Sequence, residues 1–328
     1  MPADLSYQGK AVRPGEPGLA ARAANRTGTY VTTHISTDLK ANLAGSGWMI
    51  ASMAVFAVED AFIKAASVTL PVGQVLVIFG LGGALVFASL AFFNREPLYT
   101  ADVISRPMWI RVVFEIIGRL FYVLALSLIP LSAATVILQA APLVVVAGAA
   151  LVFGEKVGWR RWSAIFVGLA GVVIIIQPGT DSFSALSLLA VAGMIGFAGR
   201  DLASRAAPAK LSTAILGLYG FLAIVVAGGF YAAWQGVPFV MPDGETSLYV
   251  LGAVLAGVIA YSCLMKAMRT GEVSAVTPFR YSRLLFGIGL GAILFGEALS
   301  RAMMVGSGLI VASGLFILLR GRQVGRTK

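Results

Sequence analysis

The chain has 328 residues, of which 58% are hydrophobic and only 12% charged, against roughly 25% charged for an ordinary soluble domain; its mean hydropathy is +0.88. One cysteine, Cys263, and one histidine, His34, exclude a disulfide framework and a His/Cys metal site. The net charge of +10 lies mostly at the termini and in short turns, which is the pattern of membrane topology and not of a nucleic-acid-binding face.

Residues 1–40 are polar and mixed, contain Lys10, Arg13, Arg22, Arg26 and Lys40, and hold no apolar run of signal-peptide length. They read as a disordered cytoplasmic tail. Ten apolar runs follow, at 42–65, 70–93, 108–129, 130–153, 161–177, 184–206, 211–234, 247–268, 271–295 and 302–320. Each is long enough to cross about 30 Å of hydrocarbon as a helix. Pro, Gly or charge punctuates most joints, as at Asn94-Arg95-Glu96-Pro97 and Pro242-Asp243-Gly244. The expected fold is therefore an all-α membrane protein of ten transmembrane helices.

An even number of spans puts both termini on one side. The loops on that side carry Arg95, Arg106, Lys156, Arg160, Arg161, Lys210 and Arg269, whereas the opposite loops hold Asp181, Asp243, Glu245 and, among basic residues, Arg301. The positive-inside rule places both termini of this multi-pass chain in the cytoplasm.

The sequence also repeats itself. Phe56, Ala57, Asp60, Lys64, Ala65 and Ala66 recur as Phe197, Ala198, Asp201, Arg205, Ala206 and Ala207. Ser132, Ala133, Thr135, Ala150, Phe153, Gly154 and Glu155 recur as Ser274, Ala275, Thr277, Ala292, Phe295, Gly296 and Glu297. The expected units are 41–177 and 178–320, with a short cytoplasmic tail at 321–328. Each unit has five spans, an odd number, so the second copy is upside down. Gly154-Glu155 then ends a helix on the cytoplasmic side and Gly296-Glu297 on the outer side. An inverted repeat is the construction from which alternating access follows.

Ten spans in two halves, with a Gly-Glu turn after the fourth and ninth, resemble the drug/metabolite transporter superfamily and its EamA domain. Asp60 with Lys64, Arg200-Asp201, and Thr277-Pro278-Phe279-Arg280-Tyr281-Ser282-Arg283 are similar to a bacterial branch associated with riboflavin and S-adenosylmethionine uptake. The resemblance implies a cavity lined by spans one, three, four, six, eight and nine, and a small-molecule substrate.

Charges within the spans point to the same place. At 1.5 Å per residue, Arg119 lies about 16 Å deep, Arg280 about 10 Å and Arg283 about 15 Å, and an ionisable group near the bilayer centre costs roughly 2.5–3.5 kcal/mol on insertion scales. Arg111, Glu115 and Arg119 share one helical face with Tyr122. Asp60 with Lys64, and Asp201 with Arg205, have the spacing of intrahelical pairs. Arg111 and Lys266 read as interfacial. Inside the spans six cations (Lys64, Arg119, Arg200, Arg205, Arg280, Arg283) face four anions (Glu59, Asp60, Glu115, Asp201). The surplus suggests a hydrated cavity with an anionic or acceptor-rich ligand. Arg119, Tyr122, Gln139, Arg200, Tyr261, Arg280, Tyr281 and Arg283 are the expected substrate-binding residues, a set suited to a flat polar heterocycle such as a flavin. The acids are candidates for a coupling proton, Glu59 first because it lacks a basic neighbour three or four residues away.

No metal or cofactor is expected. Gly80-Leu81-Gly82-Gly83 and Gly287-Ile288-Gly289-Leu290-Gly291 lie inside apolar helices and mark close helix packing, not phosphate loops. Pro142 and Pro278 are expected to kink their helices. An intramembrane enzyme would need a nucleophile with its base at membrane depth, which is not seen. The partners are a small-molecule substrate and the lipid bilayer, and the sequence is compatible with a homodimer. Uptake of a flavin is the leading expectation, with S-adenosylmethionine uptake and export of amino acids or other metabolites as alternatives.

Overall fold

The computed structural model describes residues 19–154, 157–177, 184–208, 210–270 and 276–325, with side chains from residue 40 onward apart from 153, 161, 205 and 318–325. Glu155 and residues 271–275 lie outside this set. Among the described residues all regular structure is helical: α1 (Leu19–Ala66), α2 (Val72–Phe93), α3 (Arg106–Leu128), α4 (Leu131–Leu138), α5 (Ala141–Phe153), α6 (Trp159–Ile176), α7 (Ser187–Arg205), α8 (Thr213–Gln235), α9 (Gly244–Thr270), α10 (Ser282–Phe295) and α11 (Arg301–Gly325), with 3-10 turns at Ala101–Ile104 and Thr277–Tyr281.

Three boundaries differ from expectation. α1 begins at Leu19, inside the segment read as a tail, because its Leu-Ala-Ala-Arg-Ala-Ala run favours helix. The fourth run is two helices, α4 and α5, broken at Gln139 and Ala140 just ahead of Pro142, since proline removes an amide donor and clashes with the preceding turn. The ninth opens with a 3-10 turn through Pro278 before α10. By length and composition, 72–93, 131–152, 213–235 and 244–270 can each span a membrane. α3 has the length, yet Arg111, Glu115 and Arg119 interrupt its apolar character.

The packing obeys the repeat. Under the sequence correspondence α1 matches α7, α2 matches α8, α3 matches α9, α4–α5 match the Thr277 turn with α10, and α6 matches α11. The main contacts are α1 with α9, α3 with α7, α2 with α8, and α6 with α11. Exchanging the halves turns the first of these into the second and maps the last two onto themselves. The lesser contacts behave alike: α1 with α10 answers α7 with α4 and α5, and α3 with α8 answers α2 with α9.

Glycine sets the spacing where helices of the two halves meet. A Cβ on Gly171 of α6 would lie 2.7 Å from the Gly306 carbonyl oxygen of α11, and one on Gly306 would lie 2.5 Å from that of Gly171. Gly196 of α7 lies so close to the backbone of Gly118 on α3 that a side chain would overlap it. Small residues let helices approach in lipid, where packing replaces the hydrophobic effect. Gly196→Ala should therefore cost about 1–3 kcal/mol through overpacking, seen as a lower Tm in detergent. Gly229→Ala, with nothing within 4 Å, should leave the Tm level or raise it.

Candidate functional site

The polar residues gather along one face of α3. Its Arg111, Glu115, Arg119 and Tyr122 succeed one another every three or four residues, and the carbonyls of Leu126 and Ile129 continue the line. Helices of both halves bring partners to this ladder. Arg111 Nε donates to Ser204 Oγ of α7 at 3.1 Å, and its guanidinium lies 4.0 Å from Glu115. Arg200 of α7 reaches Glu115 at 3.5 Å and Asp201 at 2.8 Å. Arg280 meets Asp201 at 3.5 Å. Arg119 binds Glu59 of α1 at 2.7 Å. Arg283 binds Asp60 at 2.5 Å, and the Tyr122 hydroxyl donates to the same carboxylate at 3.0 Å.

Aromatic faces cover the guanidiniums. Arg119 stands over Phe79 and Phe197 at 5.2 and 5.7 Å, Arg200 over Phe197 at 4.8 Å, and Arg283 over Phe56 at 5.1 Å. A ring quadrupole attracts a cation that has shed water. Phe56 and Phe197 are repeat mates, as are the carboxylates beside them, so the repeat itself holds the signal for these two rings. Phe79 lies outside that signal.

Several expectations need correction. Asp60 does not pair with Lys64: it takes Arg283 and Tyr122, while Lys64 Nζ donates to the carbonyls of Leu126 at 3.0 Å and Ile129 at 2.7 Å. A lysine near the end of one helix serves the open C-terminal carbonyls of another better than a carboxylate already held elsewhere. Asp201 takes Arg200 and Arg280, and the Arg205 side chain lies outside the described set. Glu59 has a cation after all, Arg119, from another helix. Arg111 is buried in the ladder and does not snorkel outward, whereas Lys266 is exposed and lies 4.1 Å from the Trp48 ring centroid.

Two of the expected ligand contacts are buried in the packing of this structure. Tyr281 is buried with its hydroxyl against Gly314 of α11, because the 3-10 turn swings it away from the ladder. Gln139 is also buried and donates from Nε2 to the Arg280 carbonyl at 3.0 Å, joining the two helix breaks. Tyr261 stays beside the ladder, edge-on to Phe87 at 5.4 Å. Gly154 and Gly296 do end their helices, in the left-handed region at φ 66° and 63°. Glu297, expected only as a turn marker, accepts hydrogen bonds from the start of α4.

The described ladder holds five guanidiniums, of Arg111, Arg119, Arg200, Arg280 and Arg283, against four carboxylates. Access is uneven. The Asp60 side chain is 0% exposed, but Arg280 is 30%, Asp201 25% and Arg200 21%. Arg280 is thus the most exposed cation of the network, and its contact with Asp201 is looser than those that hold Arg119 and Arg283.

Two matched sets of helices meeting on a buried ion-pair ladder have the duplicated build of a membrane transporter. The chain belongs to the EamA-like transporter family, which matches residues 43–177 and again 185–319. It is 26% identical over 281 residues to "Riboflavin transporter" of Vibrio cholerae, covering 84% of this chain and 93% of the relative. It is 25% identical to "S-adenosylmethionine uptake transporter" of Rickettsia felis, covering 85% and 94%. It is 27% identical to "Pseudopaline exporter CntI" of Pseudomonas aeruginosa, covering 88% and 98%. A solved crystal structure shares the fold with a TM-score of 0.58 at 20% identity, covering 87% of this chain and 98% of that one.

Breaking a buried pair strands the remaining charge at a cost of about 3–5 kcal/mol. Asp60→Asn should therefore destabilise strongly in a denaturation series, and Asp60→Asn with Arg283→Met should recover more than half of the loss. Additive losses in the double variant would show that the two side chains act independently.

Proposed function

We propose that this chain is a secondary carrier for uptake of a small, flat, acceptor-rich metabolite of the riboflavin kind across the bacterial inner membrane. It works by alternating access of two inverted five-helix halves, with ten crossings and both termini in the cytoplasm. The basic loops support that orientation. On this reading the Lys64 end of the ladder faces outward and the Arg111 end faces the cytoplasm.

The loosely paired, partly exposed guanidinium of Arg280, 3.5 Å from Asp201 with Arg200 alongside, carries the substrate reading. A cation that is loosely paired in the resting protein can exchange its partner for a ligand at little cost. Riboflavin offers a flat ring system for the aromatic faces and an imide edge that alternates acceptors with a donor. Such an edge complements a guanidinium beside a carboxylate. Arg119 and Arg283 are more deeply held and would shape the far wall. The acids remain candidates for proton coupling. Because each has a cation beside it, coupling would require that partner to move away during the cycle.

S-adenosylmethionine uptake is the second reading, favoured by the Rickettsia relatives. Its sulfonium cation would meet a site that already has a positive surplus, which weighs against it. The Pseudomonas exporters of similar identity keep outward movement of a metabolite as the third.

The test is reconstitution in liposomes with labelled riboflavin, S-adenosylmethionine and amino acids. Saturable riboflavin entry is expected, and Arg280→Gln should raise the apparent KM roughly tenfold or more, the worth of one charge-assisted hydrogen bond. Unchanged affinity in Arg119→Gln, Arg280→Gln and Arg283→Gln together would remove these residues from the site. Saturable S-adenosylmethionine entry without riboflavin entry would select the second reading.

A further inference from the structure

The two half-helices α5 and α10 end in the same way. The amides of Gly154 and Gly296 bond to the carbonyls five residues earlier, on Ala149 and Gly291. After α10 the chain turns back. The Glu297 amide also bonds to the Gly291 carbonyl, at 3.1 Å, which lays the Glu297 side chain across the end of its own helix. From there its carboxylate accepts the Leu131 amide at 2.6 Å, the Ser132 amide at 2.9 Å and the Ser132 hydroxyl at 2.7 Å. These are the first amides of α4, in the other half of the protein. Lys64 holds the opposite side of the same turn through the Leu126 and Ile129 carbonyls, with the Phe295 ring 5.5 Å away. A cation thus closes the C-terminal end of α3 and an anion the N-terminal end of α4, each matching the sign of the helix terminus it meets.

The arrangement depends on Gly291. A Cβ there would lie 2.5 Å from Glu297 Oε2, a distance that forces the carboxylate to move. In the first half the same position, five residues before the left-handed glycine, is Ala149, which is buried. Ala149 thus carries a Cβ over the end of α5 where Gly291 leaves open space over the end of α10. The two ends of the molecule share a motif but not the space that the motif needs.

We propose that Glu297 and Lys64 form the latch of one gate, that glycine at 291 and alanine at 149 make this latch the stronger of two, and that the carrier rests closed at its Lys64 end. The proposal rests on the alternating-access reading above. It assigns Glu297, Lys64 and Gly291 roles as gating residues that touch no substrate.

A cysteine placed behind the latch reports on it. Thr135, one turn into α4, is fully buried. Thr135→Cys in a Cys263→Ala background is treated with a membrane-impermeant maleimide from the Lys64 side, in cells that also take up labelled riboflavin. Glu297→Gln and Gly291→Ala should each speed labelling about tenfold, the loss of a charge-assisted hydrogen bond. Ala149→Gly, which opens the corresponding space at the other end, should slow it, a change that general destabilisation does not produce. Unaltered labelling in all three, in protein that takes up riboflavin, overturns the latch and leaves the carrier standing. Well-folded protein that moves none of the labelled metabolites overturns the carrier reading and the latch together.

Discussion

Burial of five guanidiniums in a lipid-embedded bundle is the constraint around which the rest of this molecule is arranged. An arginine there must find a carboxylate, an aromatic face or water. Arg119 and Arg283 find the first two, in Glu59 with Phe79 and Asp60 with Phe56. Arg280 finds half of one carboxylate and some solvent. Because the partners come from α1, α3, α7 and the Arg280–Arg283 segment, charge neutralisation ties together helices that are far apart along the chain. A polar network of this kind strengthens as its environment dries, and it is costly wherever one member lacks a partner. The same contacts that hold the bundle together therefore form its site.

The symmetry of the scaffold is not carried through to the charges. Asp60 and Asp201 are repeat mates, yet both draw an arginine from the same short stretch, Arg283 for one and Arg280 for the other. The corresponding positions of the first half hold Leu138 and Ala141 instead, and the neighbouring Gln139 bonds to the backbone of Arg280. Two identical halves would enclose a self-complementary centre with no preferred face. Drawing both of these arginines from the second half gives the centre a direction.

Much of this was readable before any coordinates. Helix periodicity and repeat spacing identified the two halves, and the depth of Arg119, Arg280 and Arg283 marked the ladder. Pairing was less legible because the i,i+4 rule speaks only of a helix alone. It offered Lys64 to Asp60, but packing supplied Arg283 from another helix and left Lys64 free for the open carbonyls of α3. It left Glu59 alone because Arg119 is sixty residues away in the chain. Tyr281 was misplaced for a local reason. A 3-10 turn advances each residue further around the axis than an α-helix does, and the turn at Pro278 rotates that ring toward Gly314. Glu297 looked like punctuation because its hydrogen-bond partners lie in the other half.

The closest backbone approaches also bear on how such a molecule could move. α3 and α7 meet through Gly118 and Gly196, and α1 meets α9 through the Ser52 hydroxyl on the Ala260 carbonyl at 2.8 Å. Each of these duos takes one member from either copy. Pulling the copies apart as wholes would tear both seams at once, whereas parting one duo from the other ruptures chiefly electrostatic links, Glu59 with Arg119 and Asp60 with Tyr122. The tightest seams of this protein are therefore woven across the duplication, and neither copy alone contains both sides of either seam.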